Sequence, residues 1–264
     1  MGSATTSALQ ALRATLAAQK SVDRETAEDL FSAARAVDSS VQLRGALGDA
    51  SAEADAKVAL VRAVFGGKVS AAAQSVLDEA VAQRWSDPTD LPGGLEELGI
   101  RAFAAAAGST ERIDAELFEV IRAVSSDAQL ELALRSKLAA RDAKSALVDR
   151  LLGDKASGAT QAIVRQLVQR PAGRSIREAL RQAAVIVADE AGASLATVVT
   201  ATPLDEAQSE RLRASLSRRY GRDVAVNTVI DPSLLGGVRV QIGDDVIDNS
   251  IAARLSDVRQ KLAG

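Results

Sequence analysis

Between residues 4 and 191 the apolar positions recur at three- and four-residue intervals, the spacing of helices that each bury one face. A first helix over about 4–19 carries Leu9, Leu12 and Leu16. Ala27, Leu30, Phe31 and Ala34 form the next stripe, and Ser70 opens a helix carrying Ala73, Val76, Leu77 and Ala80. Leu117, Val120, Ile121 and Val124 repeat the pattern, as do Ile163, Val164, Leu167 and Val168, and a last helix over 173–191 runs through Ile176, Leu180, Ala184 and Val187. Beyond it the period changes. The order becomes strand 195–201, helix 206–219, strand 223–230, strand 238–242 and helix 250–262, the last with Ile251, Leu255, Val258 and Leu262 on one stripe. Asp205 with Gln208 has the form of a capping box, and Gly221 suits a helix stop.

The helical part repeats itself. Shifting the chain by 87 positions lays residues 29–70 on 116–157 without a gap, and about half the positions are identical. Leu30 and Phe31 fall on Leu117 and Phe118, Arg35 to Val37 on Arg122 to Val124, and Asp55, Ala56 and Lys57 on Asp142, Ala143 and Lys144. After Pro88 and Pro92 the stretch through Leu95, Leu98 and Ala102 corresponds to both ends of the repeat. It reads as one helix that closes the first bundle and opens the second.

Composition narrows the chemistry. The chain of 264 residues has no His and no Cys, which removes imidazole acid-base catalysis, thiol nucleophiles and the usual zinc ligands. Aromatic residues are 2% of the total, so the core must rest on Ala, Leu and Val in close helix contact. The net charge of −3, with both signs interspersed, draws the chain neither to nucleic acid nor to anionic lipid. The longest apolar runs fall far short of the roughly 20 residues of a membrane helix, and no secretory signal opens the chain. A cytoplasmic protein is expected, without cofactor or metal.

Four clusters invite a chemical reading. Gly66 to Ser70 reads GGKVS, but a phosphate loop needs Ser or Thr directly after the Lys, where Val69 stands, and the repeat has GDKAS; both read as loops between helices. Asp244, Asp245 and Asp248 lack the ligand spacing of a calcium loop and suit turn and cap duty. Arg211, Arg213, Arg218, Arg219 and Arg222 make the densest basic stretch; with only Tyr220 nearby it reads as a solvated helix face, with an acidic protein partner as the alternative. Trp85, the only tryptophan, reads as a packing plug between bundle and linker.

Residues 231–255, DPSLLGGVRVQIGDDVIDNSIAARL, carry the most specific signal. Asp231 and Pro232 give a turn, Leu234 and Leu235 lead to Gly236 and Gly237, and Val238, Val240 and Ile242 alternate with polar residues as in a half-buried strand. The two glycines sit where an ordinary side chain would resist positive φ or a close backbone approach. Gly243, Asp244 and Asp245 supply a turn, and Asp248, Asn249 and Ser250 offer oxygens to a helix start. The stretch resembles the C-terminal signature of the δ subunit of bacterial F-type ATP synthases, relatives of the mitochondrial oligomycin-sensitivity-conferring protein. The family usually has Gly at the place of Asn249, and both residues tolerate left-handed backbone.

The resemblance implies a fold and a role. The fold is mainly α: two tandem helical bundles, 1–91 and 92–192, followed by a small α/β C-terminal domain, 193–264. The second bundle lies where the family has its single N-terminal domain, so the first is the addition, as in actinobacterial forms; if the chain is complete, b is a separate subunit. The implied role is a non-catalytic stator, a peripheral protein on the cytoplasmic face of the membrane. It links the α subunit N-terminus to the b-type stalk subunits, with no nucleic acid, no membrane insertion and no homo-oligomer. Asp231, Pro232, Leu234, Leu235, Gly236, Gly237, Asp248, Ser250 and Leu255 form the implied structural and docking signature. The rival reading is a helical-repeat scaffold of another assembly.

Overall fold

The computed structural model describes residues 2–108, 112–136, 140–242 and 245–251. The chain forms two compact units, Met1–Val187 and Ala188–Gly264. Eleven of the twelve α-helices among the described residues begin in the first unit: Ser3–Ala17 (α1), Arg24–Ser39 (α2), Val41–Gly48 (α3), Ala54–Phe65 (α4), Ala71–Ala82 (α5), Asp90–Ala107 (α6), Ile113–Ser126 (α7), Ala128–Arg135 (α8), Arg141–Leu152 (α9), Gly158–Gln169 (α10) and Ile176–Glu190 (α11).

The sequence repeat returns as a structural one. α3, α4 and α5 have the same bounds as α8, α9 and α10 once moved 87 positions along the chain, and α6 begins 87 residues after α1. Each apolar stripe is buried: Leu9, Leu12 and Leu16 on α1, Ala27, Leu30, Phe31 and Ala34 on α2, Leu117, Val120, Ile121 and Val124 on α7. Helix starts repeat as well. Ser70 caps α5 by accepting from Ala73 N, and its own amide donates to Asp29 Oδ2 of α2 (2.7 Å). Ser157 caps α10 in the same way, and its amide donates to Glu116 Oε2 of α7 (3.0 Å). Each bond satisfies an amide that the helix itself leaves without a partner.

α6 is the axis of this unit, packing against α1, α2, α3 and α5 and also against α10. Twelve of its residues between Leu91 and Phe103 are buried, charged ones included. Gly99 lets α2 come close, since a Cβ there would meet the Phe31 ring, and Phe31 in turn packs on Phe103 with centroids 5.4 Å apart. Trp85 is buried; its indole N–H donates to Ala80 O of α5 (2.8 Å) and its ring abuts Gly94 of α6. The packing plug expected from sequence is thus in place.

The second unit holds strands Ser194–Thr200 (β1), Val224–Ile230 (β2), Val238–Ile242 (β3) and Asp245–Asp248 (β4), with helix Glu206–Tyr220 (α12) between β1 and β2. The sheet order is β2-β1-β3-β4, with β1 and β2 parallel and the other pairs antiparallel. Ala196, Val198, Val224, Val240 and Ile242 form the core with Leu216 of α12. The capping box is present, with Gln208 N donating to Asp205 Oδ1 and Asp205 N to Gln208 Oε1, and Gly221 ends the helix at φ 69°.

β4 corrects the sequence reading. Asp245, expected in a turn, opens a strand and pairs with Ile242, and Asp248, expected at a helix start, closes that strand opposite Arg239. A four-residue edge strand with only Ile247 half-buried shows no alternation by which to recognise it. Of the expected last helix, Ile251 is described as helical; Gly243, Asp244, Leu255, Val258 and Leu262 lie outside the described residues.

Candidate functional site

β2 and β3 flank β1 on opposite sides, so the chain must cross the end of β1 between Ile230 and Val238. The signature residues make that crossing. Asp231 N donates to Thr200 O at the end of β1 (2.8 Å), and Leu234 N donates back to Asp231 O (3.1 Å). The Asp231 carboxylate accepts from the hydroxyl (2.6 Å) and amide (2.9 Å) of Ser233, which hold it below the ordinary aspartate range. Pro232 is exposed and Leu234 half-buried.

The glycines then turn the chain with φ of 110° at Gly236 and 83° at Gly237. A Cβ on Gly237 would stand 2.5 Å from Asn249 O and 2.9 Å from Ser250 Cα. Both properties expected from sequence, positive φ and close backbone approach, therefore apply at one residue. The strand returning from β4 closes the corner: Asn249 N donates to Val238 O (2.9 Å) and Ile251 N to Gly236 O (3.0 Å). Asp248 braces the return. The Ser250 hydroxyl, then its amide (2.9 Å), then Arg239 Nε (3.0 Å) donate to its carboxylate and hold its pKa low. Ser250 is buried, whereas Leu235 is 74% exposed beside the rigid bend, and Ile230 and Ile251 are also exposed. A fixed frame thus displays apolar side chains, the form in which a surface gains binding energy without an ordering cost.

The second notable arrangement is the polar seam of α6, which pattern reading missed. Glu97 is held by Arg13 of α1 (2.6 Å) and Arg101 one turn on (3.0 Å). Its neighbour Glu96, 3% exposed at the side chain, is held by Arg174 (2.5 Å) and Arg170 (3.2 Å), which follow α10. Gln166 of α10 donates to Glu96 (3.3 Å) and accepts from Arg35 of α2 (2.5 Å). Adjacent glutamates on one helix therefore face arginines from different copies, joining them. Beside the seam lies a cleft of about 490 Å³ with Leu9, Ile100, Leu167 and Ile186 among its walls. In sequence the signal was a Glu-Glu pair set in an otherwise apolar helix, LPGGLEELGIRAF.

The remaining candidates take ordinary roles. Gly66 and Gly67 end α4, Lys68 Nζ donates to Val64 O (2.8 Å) and Ser70 caps α5, so GGKVS is a loop between helices. Arg213 pairs with Glu210 on the exposed side of α12, where Arg211, Arg218 and Arg219 are also exposed. Among the described residues no group of three or more His, Cys, Asp or Glu is placed to hold a metal, and no helix is long and apolar enough to cross a membrane.

A family model for the ATP synthase delta (OSCP) subunit matches residues 100–262, so its span opens inside α6 and leaves residues 1–99 outside. The chain is 56% identical to the ATP synthase subunit delta of Leifsonia xyli subsp. xyli, over all of both chains. It is 42% identical to that of Nocardioides sp., over 90% of this chain and 87% of the relative, and 41% identical to that of Nocardia farcinica, over 96% and 95%. The chain belongs to the ATP synthase delta (OSCP) subunit family, a component of the enzyme's peripheral stalk.

Proposed function

We propose that the protein is a non-catalytic stator link on the cytoplasmic face of the membrane. It ties the α subunits of the catalytic head to the b-type stalk subunits, so that the head does not turn with the rotor during proton-driven ATP synthesis. The observation that carries this reading is the full-length likeness to subunits named delta, which includes the added helical copy as well as the family-matched span. In this reading the chain has three parts, 1–91, 92–192 and 193–264, acts as one copy and binds no nucleic acid.

The helical region would receive an N-terminal helix of α in an apolar groove, and the cleft beside α6, where Leu9, Ile100, Leu167 and Ile186 lie among charged residues such as Glu96 and Arg174, is a candidate for it. The corner from Asp231 to Gly237, with Leu235 outward and Asp248 and Ser250 behind it, would receive the end of b; Leu255 belongs to the same signature. Pull-down of the full chain with a b C-terminal peptide and an α N-terminal peptide tests the link. Capture of each is expected, with Leu235→Asp abolishing the first alone. Binding of neither peptide by the native protein would overturn the assignment.

A further inference from the structure

The two helical copies carry the same surface ion pair with its polarity reversed. In the first, Arg62 of α4 binds Asp78 of α5, with Nη2 2.8 Å from Oδ2. In the second, the positions 87 residues on are Asp149 of α9 and Arg165 of α10, with Nε 2.6 Å from Oδ1. A glutamine one turn before the α5 or α10 charge completes each cluster and turns its amide to suit. Gln74 donates to Asp78 (2.8 Å), whereas Gln161 accepts from Arg165 (3.1 Å). Basic and acidic partners have changed places throughout.

Correct pairing within each copy satisfies both charges. Crossed pairing, α4 with α10 and α9 with α5, would set Arg62 against Arg165 and Asp78 against Asp149. The inward-facing Val61 of α4 and Val148 of α9 are identical and both fully buried, so at this level the core distinguishes the pairings only through the faces they meet, Ala80 on α5 against Leu167 on α10. Crossing is also within reach. α5 and α10 begin at the same end of α2, where Thr26 Oγ1 lies 3.2 Å from Ser70 Oγ and Arg24 crowds Gly158. The short connections, residues 66–70 and 153–157, already favour the pairing of sequence neighbours, and the charges add to that preference.

We propose that this reversed polarity labels the two copies, steering α5 to α4 and α10 to α9 while a tandem repeat of helices with matching lengths and order folds. An exposed ion pair adds little to the stability of the finished fold. Its value here lies in the difference between attraction in the right pairing and repulsion in the wrong one, which is how charge supplies specificity. Tandem repeats are prone to misassembly of this kind.

The test refolds the full chain from denaturant and follows Trp85, which as the only tryptophan reports whether α5 has docked on α6. The double variant R62D/D78R keeps a complementary pair in each copy but gives both the same polarity. The quadruple variant R62D/D78R/D149R/R165D restores opposite polarity with every sign inverted. About a tenfold rise in the non-native fraction is expected for the double variant, as a discrimination of one decade implies, with a return to the parent value in the quadruple. Equal refolding of the double and parent chains would overturn the label, as would a quadruple variant no better than the double. Should the double not fold at all, D149R/R165D imposes one polarity from the other side; clean refolding of that variant would equally sink the idea.

Discussion

The two helical copies share a framework but fill it differently. Ala33, Ala34, Ala73 and Ala80 of the first copy stand where the second has Val120, Ile121, Thr160 and Leu167, all of them buried. The first recovers the lost volume with rings: Phe65 stands where the second has Leu152, and Trp85 stands where it has Ala172. Phe31, though matched by Phe118, is wedged against Gly99 and Phe103. One bundle is therefore Ala with aromatic plugs, the other branched aliphatics. What stays constant is polar: the Ser70 and Ser157 caps and their carboxylate acceptors. Core identity is free to drift as long as volume is kept, whereas an amide left without an acceptor at a helix start is costly wherever it occurs.

The sharpest way to break this comparison is truncation of the rings. Phe31→Ala should cost about 4 kcal/mol in denaturant unfolding, exceeding Phe118→Ala by about 1 kcal/mol for the lost ring pair. Equal costs would mean the two cores are not differently built. Next comes the seam. Glu96→Gln removes the anion that Arg170 and Arg174 share, leaving Arg170 only Asp38 (3.4 Å), and should cost about 3 kcal/mol, with hydrogen exchange rising around α10 before α1; an unchanged exchange pattern would deny Glu96 its joining role. Asp29→Ala and Glu116→Ala each remove the acceptor of a cap serine's amide and should cost about 1.5 kcal/mol or more, Glu116 the more because it also accepts from the Ser157 and Thr160 hydroxyls; no cost at either position would show that the framework is not shared after all.

The smallest effect is one of pH. Asp23 caps α2, and its carboxyl is held low first by the Thr26 amide and then by the Thr26 hydroxyl, while α7 starts at Arg112 without a side-chain cap. A depressed folded value means that the cap's stabilisation is complete above the ordinary aspartate range and is lost as pH falls through the lowered value. Acidification should therefore lower the protection factors of the amides at the start of α2, after correction for the intrinsic exchange rate, with no matching titration at the start of α7. Parallel titration at both ends would contradict the assignment.

Much of this was legible in the residues. The 87-residue offset, the helix stripes, the capping box at Asp205 and the demand of Gly237 for a bare backbone follow from spacing and sterics, which act locally. β4 was not legible, because four residues on an edge leave no periodic trace. Nor was the seam: Glu96 and Glu97 look like a solvent-facing pair until helices of both copies cover α6. The reversed ion pair needed knowledge of which helices touch, since Arg62 and Asp78 are sixteen positions apart and neither is unusual alone.

Because α6 is buried nearly all round, the duplication has no seam along which to cut. A fragment ending before Asp90 would deprive α2 and α5 of their floor, and one beginning there would carry Leu91, Leu95, Leu98 and Phe103 bare into water. The doubled region is thus not modular in the sense that protein engineers use. Each copy has become the other's solvent shield, so neither can be deleted without resurfacing the helix between them.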